Sequence, residues 1–106
     1  MKWAIYKHTC KANNLVYIGI TKQEPPEKRW MNGSGYKGNV YFYYYIRKYG
    51  WDKGFKHEII VSDIESFEEA RDLEQKIINQ FLSDENYLQS IKEKRFGLDI
   101  FNQHIE

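Results

Sequence analysis

Two short stretches rich in β-branched and aromatic residues open this chain, Trp3-Ala4-Ile5-Tyr6-Lys7-His8 and Leu15-Val16-Tyr17-Ile18-Gly19-Ile20, with Lys11-Ala12-Asn13-Asn14 between them. Such residues suit a pleated, half-buried surface, and asparagine tolerates the left-handed backbone of a tight turn. The pattern predicts a β-hairpin over residues 3–20, which commits the chain to an antiparallel sheet. Side chains alternate across a strand, so Ala4 and Tyr6 share one face while Trp3 and Ile5 share the other. Tyr17 and Gly19 likewise share a face. A turn centred near residues 11–12 would set Tyr6 and Tyr17 opposite or nearly opposite each other. Gly19 then leaves open space where a backbone or a phosphate can approach.

The rest of the chain reads as helices around that sheet. Pro25-Pro26 breaks the chain and favours a first helical turn, so a short helix carrying Glu27, Arg29 and Trp30 is expected next. The segment 32–39, rich in Gly and Asn, reads as a loop. A second helix is expected over 40–49, ending at Gly50, with Val40, Tyr44 and Tyr45 on one side and Arg47 and Lys48 in the last turn. Residues 55–61 read as a third strand. Ser66-Phe67-Glu68-Glu69 has the form of a capping box, and Ala70, Leu73, Ile77 and Phe81 follow at helical spacing. Residues 96–102 suggest a turn that returns to the core. The fold expected is a small α+β (α/β) domain over residues 1–106, with a three-stranded antiparallel sheet and the order β-β-α-α-β-α.

Composition narrows the function classes. A hydrophobic share of 42% supports a packed core and argues against disorder. No apolar run reaches the roughly 20 residues needed to cross a bilayer, so no membrane partner is expected. A single cysteine, Cys10, excludes an internal disulfide, and a reducing, cytoplasmic setting is the expectation. Eleven lysines and arginines against three acids give residues 1–56 a net charge of +8. Five against twelve give residues 57–106 a net charge of −7. A basic half suits a polyanion such as DNA, although the two halves can also neutralise each other within the fold.

Three kinds of residue stand out as chemical candidates. Glu74 lies on the apolar stripe of the last helix, beside Ala70, Ile77 and Ile78. A carboxylate there either binds a cation, pairs with a base, or leans out to water. Tyr6 and Tyr17 are either a phenol pair at a site or an aromatic cross-strand pair packed under a helix. Arg29 offers a planar fork that matches a phosphate, or is a surface charge. Lys7 faces away from Tyr6. His8, His57 and His104 lack the spacing of a zinc site and have no role on this reading.

The ordered series Ala4-Ile5-Tyr6, Tyr17-Ile18-Gly19, Lys28-Arg29-Trp30, Ile46-Arg47-Lys48-Tyr49-Gly50-Trp51 and Leu73-Glu74 resembles the GIY-YIG nuclease superfamily, with Ala4 in place of the usual first glycine. That resemblance implies phosphodiester hydrolysis of DNA with Mg²⁺ or Mn²⁺. It implies Tyr6 and Tyr17 on the first two strands, Arg29 on the first helix, and Glu74 as the single metal ligand. Tyr36 is the candidate for the histidine or tyrosine that many relatives carry after the arginine. Asn102, or alternatively Asp99, would fill the C-terminal position. In this scheme Tyr6 acts as general base, directly as a tyrosinate or through a bound water, and its pKa needs lowering by nearby cations. Relatives usually take specificity from an attached DNA-binding domain, and a protein partner or a separate DNA-binding domain is the expected source of specificity here. The competing readings are a GIY-YIG-like nucleic-acid-binding module without catalysis and a protein-interaction domain.

Overall fold

The computed structural model describes residues 2–83. The readings at 96–102, including Asp99 and Asn102, lie outside the described residues. Strand β1 (Trp3–Cys10) lies between β2 (Val16–Thr21) and β3 (Phe55–Ile64), and both pairings are antiparallel. Helix α1 (Val40–Tyr49) and helix α2 (Phe67–Ser83) complete the regular elements, together with two short 3-10 segments, Pro26–Arg29 and Met31–Tyr36.

Alternation along β1 and β2 divides the core in two. Ile5, Val16 and Ile18 pack against Leu73, Ile77, Ile78 and Phe81 of α2. Tyr6, Cys10 and Tyr17 join Trp30, Tyr36, Phe42, Tyr45, Ile46 and Phe55 in a second, mostly aromatic cluster. One helix therefore covers each face of the sheet. Complete burial of a residue such as Phe42 stabilises the fold by about 1.5–3 kcal/mol.

The hairpin turn sits further along than expected. Thr9 pairs with Val16, so Tyr6 opposes Gly19 and Tyr17 opposes His8. Asn14 takes a left-handed backbone with φ of 63°, and the Asn13 side chain accepts from the Leu15 amide at 3.0 Å. Both asparagines thus fix the turn, and they shift its centre past Ala12.

The expected short helix forms as a 3-10 turn, Pro26–Arg29, which carries Glu27 and Arg29. Met31 and Asn32 have φ of 50° and 54°, and Gly33 has φ of 95°. Residues in this left-handed region interrupt a regular hydrogen-bond ladder, so the segment breaks into two 3-10 pieces. Helix α1 has the expected bounds. Asn39 caps its start by accepting from the Phe42 amide at 3.1 Å, and Gly50, with φ of 90°, ends it. Of Val40, Tyr44 and Tyr45, only Tyr45 faces the core. Phe42, Tyr45 and Ile46 are buried, whereas Val40 and Tyr44 are 79% and 55% exposed. Spacing of three and four residues explains the buried set.

Strand β3 runs three residues past its expected end, because Ile64 pairs with Trp3 across an irregular register. In α2 the capping box is realised, with the Glu69 amide donating to the Ser66 hydroxyl oxygen at 3.1 Å. The described helices include none long and apolar enough to cross a membrane.

Candidate active site

A cavity of about 450 Å³ opens beside β2, lined by Tyr6, Tyr17, Ile18, Gly19, Ile20, Arg29, Phe67, Arg71, Glu74, Gln75 and Ile78. Its walls come from both faces of the sheet, so it wraps the free edge of β2. Tyr6 arrives from β1, Tyr17 from β2, Arg29 from the first 3-10 segment and Glu74 from α2. The four sequence candidates therefore share one cavity, although they are spread over sixty-nine positions from residue 6 to residue 74.

The two phenol rings lie on the same face, diagonal rather than directly opposed. Their centroids are 6.3 Å apart and their planes differ by 12°. Tyr6 crosses directly over Gly19. A methyl group added at Gly19 would sit 2.5 Å from the Tyr6 hydroxyl oxygen and 2.6 Å from its Cζ. Glycine is required here because the ring occupies the space of a side chain. Gly19→Ala is expected to displace the Tyr6 ring and to slow cleavage about 100-fold, as misplacement by about an ångström typically does. Single-turnover rates beside thermal melts check this, since the rate loss should far exceed any loss of stability.

Arg29 is held from two sides. Its Nη1 donates to the Gly35 carbonyl at 2.8 Å, and its guanidinium carbon lies 4.7 Å from the centre of the Tyr36 ring. Stacking and hydrogen bonding together fix the plane of the fork at the cavity wall. Gly35 permits this approach, because a side chain there would collide with the Arg29 carbonyl.

Tyr36 is 2% exposed and does not line the cavity. It stands behind Tyr6, with their hydroxyls hydrogen-bonded to each other. Lys7 lies on the other face, 3.4 Å from Glu58.

Burial pushes the Tyr6 hydroxyl above its ordinary pKa, and the Glu74 carboxylate adds to this, while Arg29 pulls it down. The net direction is upward because desolvation of the anion outweighs one guanidinium, so without a bound cation Tyr6 is a neutral phenol. Tyr36 is raised as well, again chiefly by burial.

Glu74 is half-buried at the cavity wall. Groups of three or more His, Cys, Asp or Glu suited to a metal are absent among the described residues. One carboxylate beside an open cavity fits a hard divalent ion that keeps most of its coordination for water and phosphate oxygens. It does not fit a closed zinc site.

Sequence reasoning missed four residues, Arg71, Gln75, His8 and His57. Arg71 and Gln75 line the cavity from α2, and Arg71 lies three residues before Glu74, a spacing that puts both on one helix face. His8 was assigned no role, yet it is fully buried at the centre of the aromatic cluster. Its Nε2 lies 2.8 Å from the Tyr36 hydroxyl, and its Nδ1 lies 2.9 Å from Nδ1 of His57. The one available signal was position, since period-two alternation from Tyr6 puts His8 on the same face.

Burial, followed by His57 and Arg29, lowers the His8 pKa from 6.5 to about 2, and burial lowers that of His57. A base whose folded pKa is depressed takes up its proton more readily when unfolded. Its contribution to stability is therefore complete above pH 6.5 and falls as the pH drops below that value. One excluded proton corresponds to about 1.4 kcal/mol per pH unit. Thermal melts should show stability falling between pH 6 and 5, above the main titration of carboxylates. Replacing His57 should reduce the slope.

The sequence matches the family profile described as the GIY-YIG catalytic domain over residues 2–88. No curated protein and no solved structure matches the chain significantly.

Proposed function

Because the chain belongs to the GIY-YIG family of nucleases, which implies a nucleic-acid substrate, we propose that its cavity hydrolyses DNA phosphodiester bonds with the help of one divalent cation, Mg²⁺ or Mn²⁺. The observation that carries this reading is the meeting of two phenols, a guanidinium and a single carboxylate around one cavity. Each suits a separate task at a phosphate.

In this reading Glu74 holds the cation with water, and the bound ion supplies charge neutralisation at the phosphate and at the departing 3′ oxygen. Arg29 presents its fork to the non-bridging oxygens, where negative charge grows during in-line attack by water. Its bond to Gly35 and its stack on Tyr36 orient it beforehand, so little reorganisation accompanies the reaction. Tyr6, as a neutral phenol, accepts a hydrogen bond from the attacking water and orients it. Tyr17 steadies the Tyr6 oxygen and the phosphate. Arg71 adds positive charge at the rim and offsets the field of Glu74. Asn102 or Asp99 is the proposed C-terminal contributor.

A second reading, a nucleic-acid-binding module that does not cut, draws on the outer face of α1. There Lys37, Arg47 and Lys48 surround Val40, Tyr43 and Tyr44, and no carboxylate stands among the described residues of that groove. Exposed aromatics ringed by cations suit stacked bases and phosphates. Incubation of the protein with duplex, branched and single-stranded oligonucleotides separates the two, in Mg²⁺, in Mn²⁺ and in chelator. The nuclease reading expects cleavage with either metal and none in chelator. Salt-sensitive binding without product would favour the module.

A further inference from the structure

A chain of hydrogen bonds runs from the cavity into the core and ends on a main-chain carbonyl. Tyr6 and Tyr36 share a hydrogen bond, the Tyr36 hydroxyl lies 2.8 Å from His8 Nε2, and His8 Nδ1 lies 2.9 Å from His57 Nδ1. His57 Nε2 then lies 2.9 Å from the Trp51 carbonyl oxygen. Register creates the imidazole pair, because His8 and His57 are direct partners across β1 and β3.

The far end fixes the direction of every bond. A carbonyl only accepts, so Nε2 of His57 carries the hydrogen. Neutral His57 then has a bare Nδ1, which accepts from Nδ1–H of His8. Neutral His8 has a bare Nε2, which accepts from the Tyr36 hydroxyl. Tyr36, its only proton committed to His8, accepts from Tyr6. Both imidazoles are held neutral by their surroundings. His8 is fully buried and packed within 4.7–6.1 Å of the rings of Tyr6, Tyr17, Trp30, Tyr36, Phe42 and Trp51. The Trp51 ring also stacks on His57 at 4.0 Å. A doubly protonated His57 would keep its bond to Trp51 and reverse every other one, and Tyr36 would then donate to Tyr6.

We propose that His8 and His57 are positioning residues which draw the Tyr6 proton inward toward Tyr36, so that the Tyr6 oxygen meets Tyr17 and the cavity as an acceptor. An acceptor is what an attacking water needs, since it must give up a proton as it bonds to phosphorus. The role rests on the nuclease reading. The polarity of the network stands apart from it. Neither histidine touches the substrate cavity, so both act through Tyr36.

Imidazole nitrogen NMR reads the tautomers directly. The expected result is His8 protonated at Nδ1 and His57 at Nε2, both neutral at pH 7.5. His8 protonated at Nε2, or His57 as imidazolium, would overturn the proposal. Two variants supply the second arm. His57→Asn keeps an acceptor, Oδ1, near the place of Nδ1, whereas His57→Leu removes it. The leucine variant should cut DNA about tenfold or more slowly at unchanged Kd, and the asparagine variant should recover most of that rate. Equal rates in the two variants at equal folded fraction would also overturn it. If wild-type protein fails to cut DNA, the nuclease reading falls, and the tautomers still decide the network.

Discussion

Replacing Glu74 with alanine is expected to abolish metal-dependent DNA cleavage, a loss of at least about 1,000-fold, while the fold persists. The reason lies in how little else is available. Among the described residues the cavity offers one carboxylate, and no second acid stands ready to take over the cation. Stability should change little, because the core stripe of α2 is supplied by Ala70, Leu73, Ile77, Ile78 and Phe81, and Glu74 is only half-buried. Its loss removes one negative charge from the cavity wall, which favours DNA binding. Single-turnover rates, melting temperatures and DNA affinity of the variant test all three points. Wild-type cutting by Glu74→Ala would remove Glu74 from the site.

Arg29→Ala is expected to slow cleavage by about 100- to 1,000-fold, equivalent to about 2.7–4 kcal/mol, with only a modest loss of DNA affinity. A group that acts on charge developed in the transition state lowers the rate more than the affinity when removed. Lysine should rescue poorly. The guanidinium bonds the Gly35 carbonyl and stacks on Tyr36 at the same time, and an ammonium has neither the second nitrogen nor the plane for both. Comparable losses of rate and of affinity in Arg29→Ala would indicate a binding contact only.

Legibility in the sequence followed the range of the interactions. The hairpin, the bounds of α1 and the start of α2 rest on neighbours in the chain. Asn13 and Asn14 shape the turn, Gly50 ends α1, and Ser66 caps α2 through the Glu69 amide. Such signals survive without tertiary context. The exact register did not, because a shift of the turn centre past Ala12 depends on which asparagine adopts the left-handed conformation. The 3-10 segments escaped for the same reason, since Met31 and Asn32 adopt positive φ only with the surrounding structure in place.

The site divides in a similar way. Tyr6, Tyr17, Arg29 and Glu74 were identified from motifs, and they line one cavity. The upward pull of burial on Tyr6 was not legible, because burial is a property of the packed core and not of the local sequence. The imidazole pair was invisible for a different reason. His8 and His57 are 49 residues apart, and only the pairing of β1 with β3 sets them side by side. Arg71 could have been found, as it lies one helical turn from Glu74.

The most direct measurement is the reaction of supercoiled plasmid with the purified protein in Mg²⁺, followed by treatment of the nicked product with DNA ligase. Attack by water with departure of the 3′ oxygen predicts nicked circles whose 5′-phosphate and 3′-hydroxyl ends the ligase reseals. Plasmid left fully supercoiled in both Mg²⁺ and Mn²⁺, or nicks that resist ligation, would contradict hydrolysis at this cavity.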